Sequence, residues 1–105
     1  MRARRIRQPH AEAIMRGVKT TEYRSSATKT CGRIYIYASP GRYSADDEAE
    51  MIEDYGIDDV SCDDLPRGVL IGTVELYDFD GGGWHVRNPE RAKTLRKPKK
   101  HPSRS

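Results

Sequence analysis

Arg33-Ile34-Tyr35-Ile36-Tyr37-Ala38 alternates with a strict period of two, the spacing of a β-strand whose two faces meet different surroundings. On this reading Ile34, Ile36 and Ala38 face a core, while Arg33, Tyr35 and Tyr37 share the other side. That second row suits two tasks: stacking bases while a guanidinium meets phosphate, or covering a neighbouring helix with phenol rings.

Upstream, Gly17-Val18-Lys19-Thr20-Thr21-Glu22-Tyr23-Arg24 crowds an ammonium, a carboxylate and a guanidinium behind a helix stop. Gly17 can take the left-handed conformation that ends a helix, and Thr20, Thr21 and Tyr23 favour a strand, so Lys19 is expected at the mouth of a helix-to-strand turn. Glu22 and Arg24 then share a strand face, where a carboxylate can hold a guanidinium and leave Lys19 to reach a ligand or the same carboxylate. A solvated ion-pair face has the same spacing and contributes little. Further upstream, Arg4–Arg7 reads as a short strand, because Gln8 precedes a proline, and Pro9 opens a helix. Ala11, Ile14, Met15 and Val18 form its apolar stripe. His10, in the first turn, fits a partly packed surface position better than a catalytic base.

Downstream, Pro40-Gly41-Arg42-Tyr43 turns the chain, and Ser44 with Asp47 three residues on caps a helix running to about Tyr55. Ala45, Ala49 and Ile52 give it a thin apolar stripe. Gly68–Phe79 is a long apolar strand with Leu70, Val74 and Leu76 on one face, Glu75 on the other, and Gly72 marking a bulge or a close backbone contact. Gly81-Gly82-Gly83 lacks the Lys-Ser/Thr of a phosphate loop and reads as a flexible turn at a cleft edge. Trp84 behind it either caps a ligand base or closes the core. Asn88-Pro89 is expected to open a further helix through Glu90, Ala92 and Leu95, ended by Pro98. Residues 98–105 show no strand pattern.

Taken together, four blocks in order resemble the ASCH domain of the PUA-like superfamily over about residues 4–97. They are Ile6-Arg7-Gln8-Pro9, Gly17–Arg24, Gly32–Ser39 and Leu65–Leu76. The resemblance implies an α+β fold: a small PUA-like β-barrel with two to three short helices, domain 1–97 and a basic tail 98–105. It also implies that the G-x-K-x-x-E-x-R block lines a cleft in which Lys19, Glu22 and Arg24 face a ligand. Two features depart from the family. His10 stands where an aromatic Trp is frequent, and the closing C-terminal strand finds no counterpart, so either the barrel lacks it or the tail is without structure.

Composition narrows the partners. With 105 residues and 35% hydrophobic content, the chain supports one compact domain with a modest core. No apolar run approaches a membrane span, and Met1-Arg2-Ala3-Arg4-Arg5 leads into no signal core, so a cytoplasmic protein with no membrane partner is expected. Cys31 and Cys62 fit reduced thiols, and no metal site or cofactor is expected. Charge is segregated: residues 1–45 hold ten Lys/Arg against Glu12 and Glu22, residues 46–64 hold ten acids and no base, and from Arg87 onward the chain is basic again. A polyanion-binding face opposite an acidic one has this layout; a tail that keeps the protein soluble also accounts for the last residues.

Two functions compete. The first is a module that binds RNA or a modified nucleoside or nucleotide through Lys19, Glu22 and Arg24, with Arg7, Arg33 and Arg42 along the backbone and Tyr35 and Trp84 against bases. The second is a small hydrolase acting on an acetylated nucleoside amide or on RNA, with Lys19, Glu22 and Glu75 as its catalytic groups. In the amide hydrolases that the family includes, the position of Glu22 is a nucleophilic Thr, and this sequence departs there.

Overall fold

The computed structural model describes residues 2–23 and 31–98. In chain order the elements are β1 (Ala3–Arg7), α1 (His10–Met15), β2 (Thr21–Tyr23), β3 (Gly32–Ser39), α2 (Ala45–Asp54), a single 3-10 turn (Cys62–Asp64), β4 (Val69–Asp80) and β5 (Gly83–Arg96). The strands form one mixed sheet in the order β1-β3-β4-β5-β2, with β1 parallel to β3 and the remaining pairs antiparallel. Among the described residues this sheet stays open, with β1 and β2 as its edges, so the small β-rich α+β fold stands and the closed barrel does not.

The alternation in β3 is realised: Ile34, Ile36 and Ala38 are buried and meet Ile6, Ile71, Val74, Leu76, Trp84 and Val86 in one core. Tyr37 departs from its row. A register shift at Ile36/Tyr37 follows the alternating stretch, and Tyr37 is fully buried while Tyr35 stays 37% exposed. Helix α1 closes the core with Ala11, Ile14 and Met15, but it is buried almost all round, including Ala13 and Glu12. Val18 lies beyond the helix end and is 52% exposed, so it drops out of the expected stripe.

Gln8, fully buried, anchors α1 at its start. Its Oε1 accepts the Glu12 N–H at 2.9 Å, and its Nε2 donates to the Pro66 carbonyl at 3.0 Å. Ser44 caps α2 as expected, its Oγ accepting the Asp47 N–H, and Gly56 at φ +70 follows the helix. The β4–β5 connection is tighter than the expected flexible turn. Gly81 and Gly82, at φ +48 and +92, make a two-residue hairpin of the kind whose twist matches the strands it joins.

The largest correction lies at residues 88–97. In place of a helix and a missing last strand, β5 runs on to Arg96. Two irregularities hid it. Asn88 at φ +52 and Pro89 together face Val74, so the proline sits in a bulge and removes no ladder hydrogen bond. Farther on, residues 92–95 face Ile71 alone, and this second offset resets the period-two pattern again. No helix among the described residues is long and apolar enough to cross a membrane.

Candidate functional site

Backbone bonds fix the block that begins at Gly17. With Gly17 at φ +76, its N–H reaches the Ile14 carbonyl and the Val18 N–H reaches the Ala13 carbonyl, both at 3.0 Å, the bond pair that closes a helix end. The Lys19 N–H shares the Ala13 carbonyl at 3.1 Å, so the backbone of Lys19 is set before its side chain begins. Its ammonium stands 5.8 Å from the centre of the Tyr23 ring. Beneath the turn lies a cavity of about 200 Å³ between Ile14, Lys19, Val86 and Pro89.

A second cluster of aromatic and titratable groups lies at the start of α1, within electrostatic reach of this turn. His10 Nδ1 is 2.6 Å from the Tyr55 hydroxyl, and the imidazole lies edge-on to both Tyr43 and Tyr55. The Arg7 guanidinium sits 5.1 Å over the Tyr43 ring. It also lies across Gly41, where a Cβ would come within 2.8 Å of Arg7 Nε. Burial first and the Lys19 charge second lower the His10 pKa from 6.5, keeping the imidazole neutral at pH 7. Burial raises the Tyr55 pKa, and the negative charge of Glu22 raises it further. Glu22 lies on β2 opposite Trp84, half-buried, with its Oε2 out of reach of solvent. The His10 imidazole, the Tyr43 and Tyr55 rings and the Arg7 guanidinium form one cluster, and the Lys19 and Glu22 charges act on its His10 and Tyr55 members.

The other sequence-selected residues lie elsewhere. Arg42 grips the buried Glu48 through Nε and Nη2 and also binds Asp63. Hydrogen bonds from Arg42 outweigh burial and, with the Tyr43 N–H and the Arg67 charge, hold the Glu48 pKa down at about 2. The guanidinium expected on a ligand backbone is thereby engaged in bracing α2. Arg33 donates to Thr73 Oγ1 at 3.1 Å and to the Asn88 carbonyl at 2.8 Å, stitching β3 to β4 and β5. Glu75 accepts from Arg87 and Asn88, and those bonds lower its pKa. Trp84 is 2% exposed, edge-on to Phe79, with the Arg4 guanidinium 4.0 Å over its ring, so it closes the core. Arg24 lies outside the described residues.

Sequence reading passed over Tyr43 and Tyr55 and set His10 aside. Tyr43 follows a turn and Tyr55 follows α2, and neither stands in a local pattern that signals its convergence on α1. Glu12 was missed as well. Its buried carboxylate accepts from Arg91 Nη1 and Nη2 at 3.0 and 2.6 Å and from Arg16 Nε at 2.7 Å, while Arg16 also binds Asp59. Burial alone would raise the Glu12 pKa, but these guanidinium bonds bring it below its ordinary value. The brace ties the helix that carries His10 to β5.

Comparison with known proteins identifies the family. The family model described as the ASCH domain matches residues 5–85. Similar curated proteins include Activating signal cointegrator 1 of Homo sapiens, 35% identical over 77 residues, and that of Mus musculus, 36% identical over 77 residues. Each match covers 70% of this chain and 13% of the relative, so the chain spans a small part of the length of the curated relatives it matches. With a family model covering most of its length, the chain belongs to the ASCH domain family.

Proposed function

We propose that this ASCH domain binds RNA or a modified nucleotide at the neighbourhood of Lys19, Glu22, His10, Tyr43 and Arg7. The observation that supports this most is the packed cluster of His10, Tyr43, Tyr55 and Arg7, whose His10 and Tyr55 lie within electrostatic reach of Lys19 and Glu22. Lys19 and Arg7 offer charge to a phosphate, Glu22 accepts from an exocyclic amino or ring N–H group, and the phenols offer faces to a base. Arg24 joins the proposed set from its place in the family block. Binding isotherms with short RNAs and nucleotides test the reading. Lys19→Ala should abolish binding while leaving the melting temperature nearly unchanged, and unchanged binding would reduce the block to an ion-pair surface.

A hydrolytic role on an acetylated nucleoside amide or on RNA has one observation in its favour: a neutral His10 hydrogen-bonded to Tyr55 beside a cation and a carboxylate. Glu22→Gln separates the two readings. A binding site would lose affinity, whereas a site using Glu22 as general base would keep affinity and lose rate by roughly 10²–10⁴.

A further inference from the structure

We propose that a groove at the far end of β4 and β5 holds single-stranded nucleic acid, with one base stacked on Tyr35 and the adjoining phosphates on Lys93 and Arg96. The inference rests on the nucleic-acid reading of the domain but uses a different surface, since no groove residue belongs to the neighbourhood of Lys19. The groove has a volume of about 380 Å³ and is lined by Tyr35, Leu70, Thr73, Lys93 and Arg96 among others. Its origin is the second bulge of β5. Between the pairs Leu70–Arg96 and Gly72–Arg91, four β5 residues face the single Ile71, and the surplus chain stands off from β4.

The charges in the groove favour a polyanion. Arg91 is engaged by the buried Glu12, and the Glu90 carboxylate lies 3.8 Å from Arg33. Lys93 and Arg96 engage no carboxylate among the described residues. Two cations without counter-charge therefore flank a part-exposed phenol and an apolar side chain, the pairing that holds a base by its face and its backbone by charge. Only an unpaired base can lie flat on Tyr35, so the fit is to a single strand rather than a duplex.

Fluorescence anisotropy with a labelled oligouridylate of about twelve nucleotides, beside an RNA duplex of equal length, tests the inference. Tyr35→Ala should weaken single-strand binding about ten-fold and affect the duplex less, and Tyr35→Phe should retain it. Lys93→Ala with Arg96→Ala should flatten the log–log salt slope by about 1.4, two phosphates at roughly 0.7 each. Thermal melts matching wild type would exclude unfolding as the cause. Wild-type protein that binds neither probe would refute the nucleic-acid reading and the groove with it. Binding lost in Lys19→Ala but unchanged in the Tyr35 and Lys93/Arg96 variants would refute the groove alone. Tighter binding of polyglutamate than of RNA, weakened by the same variants, would overturn the assignment to nucleic acid.

Discussion

Replacing Gly72 with Ala should destabilise the protein through one identifiable clash. A Cβ at Gly72 would overlap the Glu90 carbonyl oxygen and Met15 Cε and would stand 3.1 Å from Arg91 Cα. The methionine end can swing away. Glu90 and Arg91 cannot move as freely, because they are backbone paired with Thr73 and Gly72 themselves. Overpacking costs ~1–3 kcal/mol, and rigid backbone as the obstacle puts Gly72→Ala near the top of that range. The methyl group also restricts the unfolded chain, which offsets ~0.4–1 kcal/mol and leaves a loss of ~2 kcal/mol. For a domain of this size that corresponds to a fall in melting temperature of roughly 8–16 °C, read by circular dichroism. Adding Met15→Leu, which removes Cε at nearly constant volume, should recover little of it. A Gly72→Ala protein that melts within about 2 °C of wild type, or full rescue by Met15→Leu, would refute the claim that β5 backbone is what Gly72 accommodates.

Other outcomes follow from the titrating groups. The Glu48 carboxyl sits at about 2 in the fold against an ordinary 4.5, so the stability it supplies is complete above pH 4.5 and is lost as pH falls toward 2. Glu48→Gln should lower stability by ~2 kcal/mol at pH 7, solvent screening at the exposed Arg42 trimming the ion pair's share, and should flatten acid denaturation in that window. His10 has the same sign by a different route: its folded pKa is depressed, so the unfolded chain takes up the proton first and stability declines as pH drops below 6.5. His10→Asn should remove that decline, as melts between pH 5 and pH 8 would show.

Local patterns carried most of what the sequence disclosed. The alternation at Ile34–Ala38, the cap at Ser44 and the stop at Gly17 each arise from backbone rules acting within a few residues, and each stands where those rules put it. Strand β5 was hidden because two bulges break its period and Glu90, Ala92 and Leu95 suit a helix equally well; pairing with β4 decides between them. The candidate site divides in the same way. Lys19 and Glu22 are close in sequence and were legible as a block, whereas Tyr43 and Tyr55, at either end of α2, meet His10 only in the folded chain. Arg42 looked available because sequence shows a cation but not Glu48, which is buried on the next helix and takes it up.

The Glu12 brace bears on where a working fragment of this protein can be cut. The family match ends at residue 85, yet Arg91, which holds Glu12 from across the sheet, lies six positions beyond. A fragment stopped at residue 85 would retain the Gly17–Glu22 block and still lose two of the three guanidinium hydrogen bonds to a buried carboxylate in the helix that carries His10. It would also strip β4 of most of its β5 partner, baring a long apolar edge of the kind that invites self-association. Such a fragment should be recovered as aggregate, whereas one ending after Arg96 should stay monodisperse in light scattering.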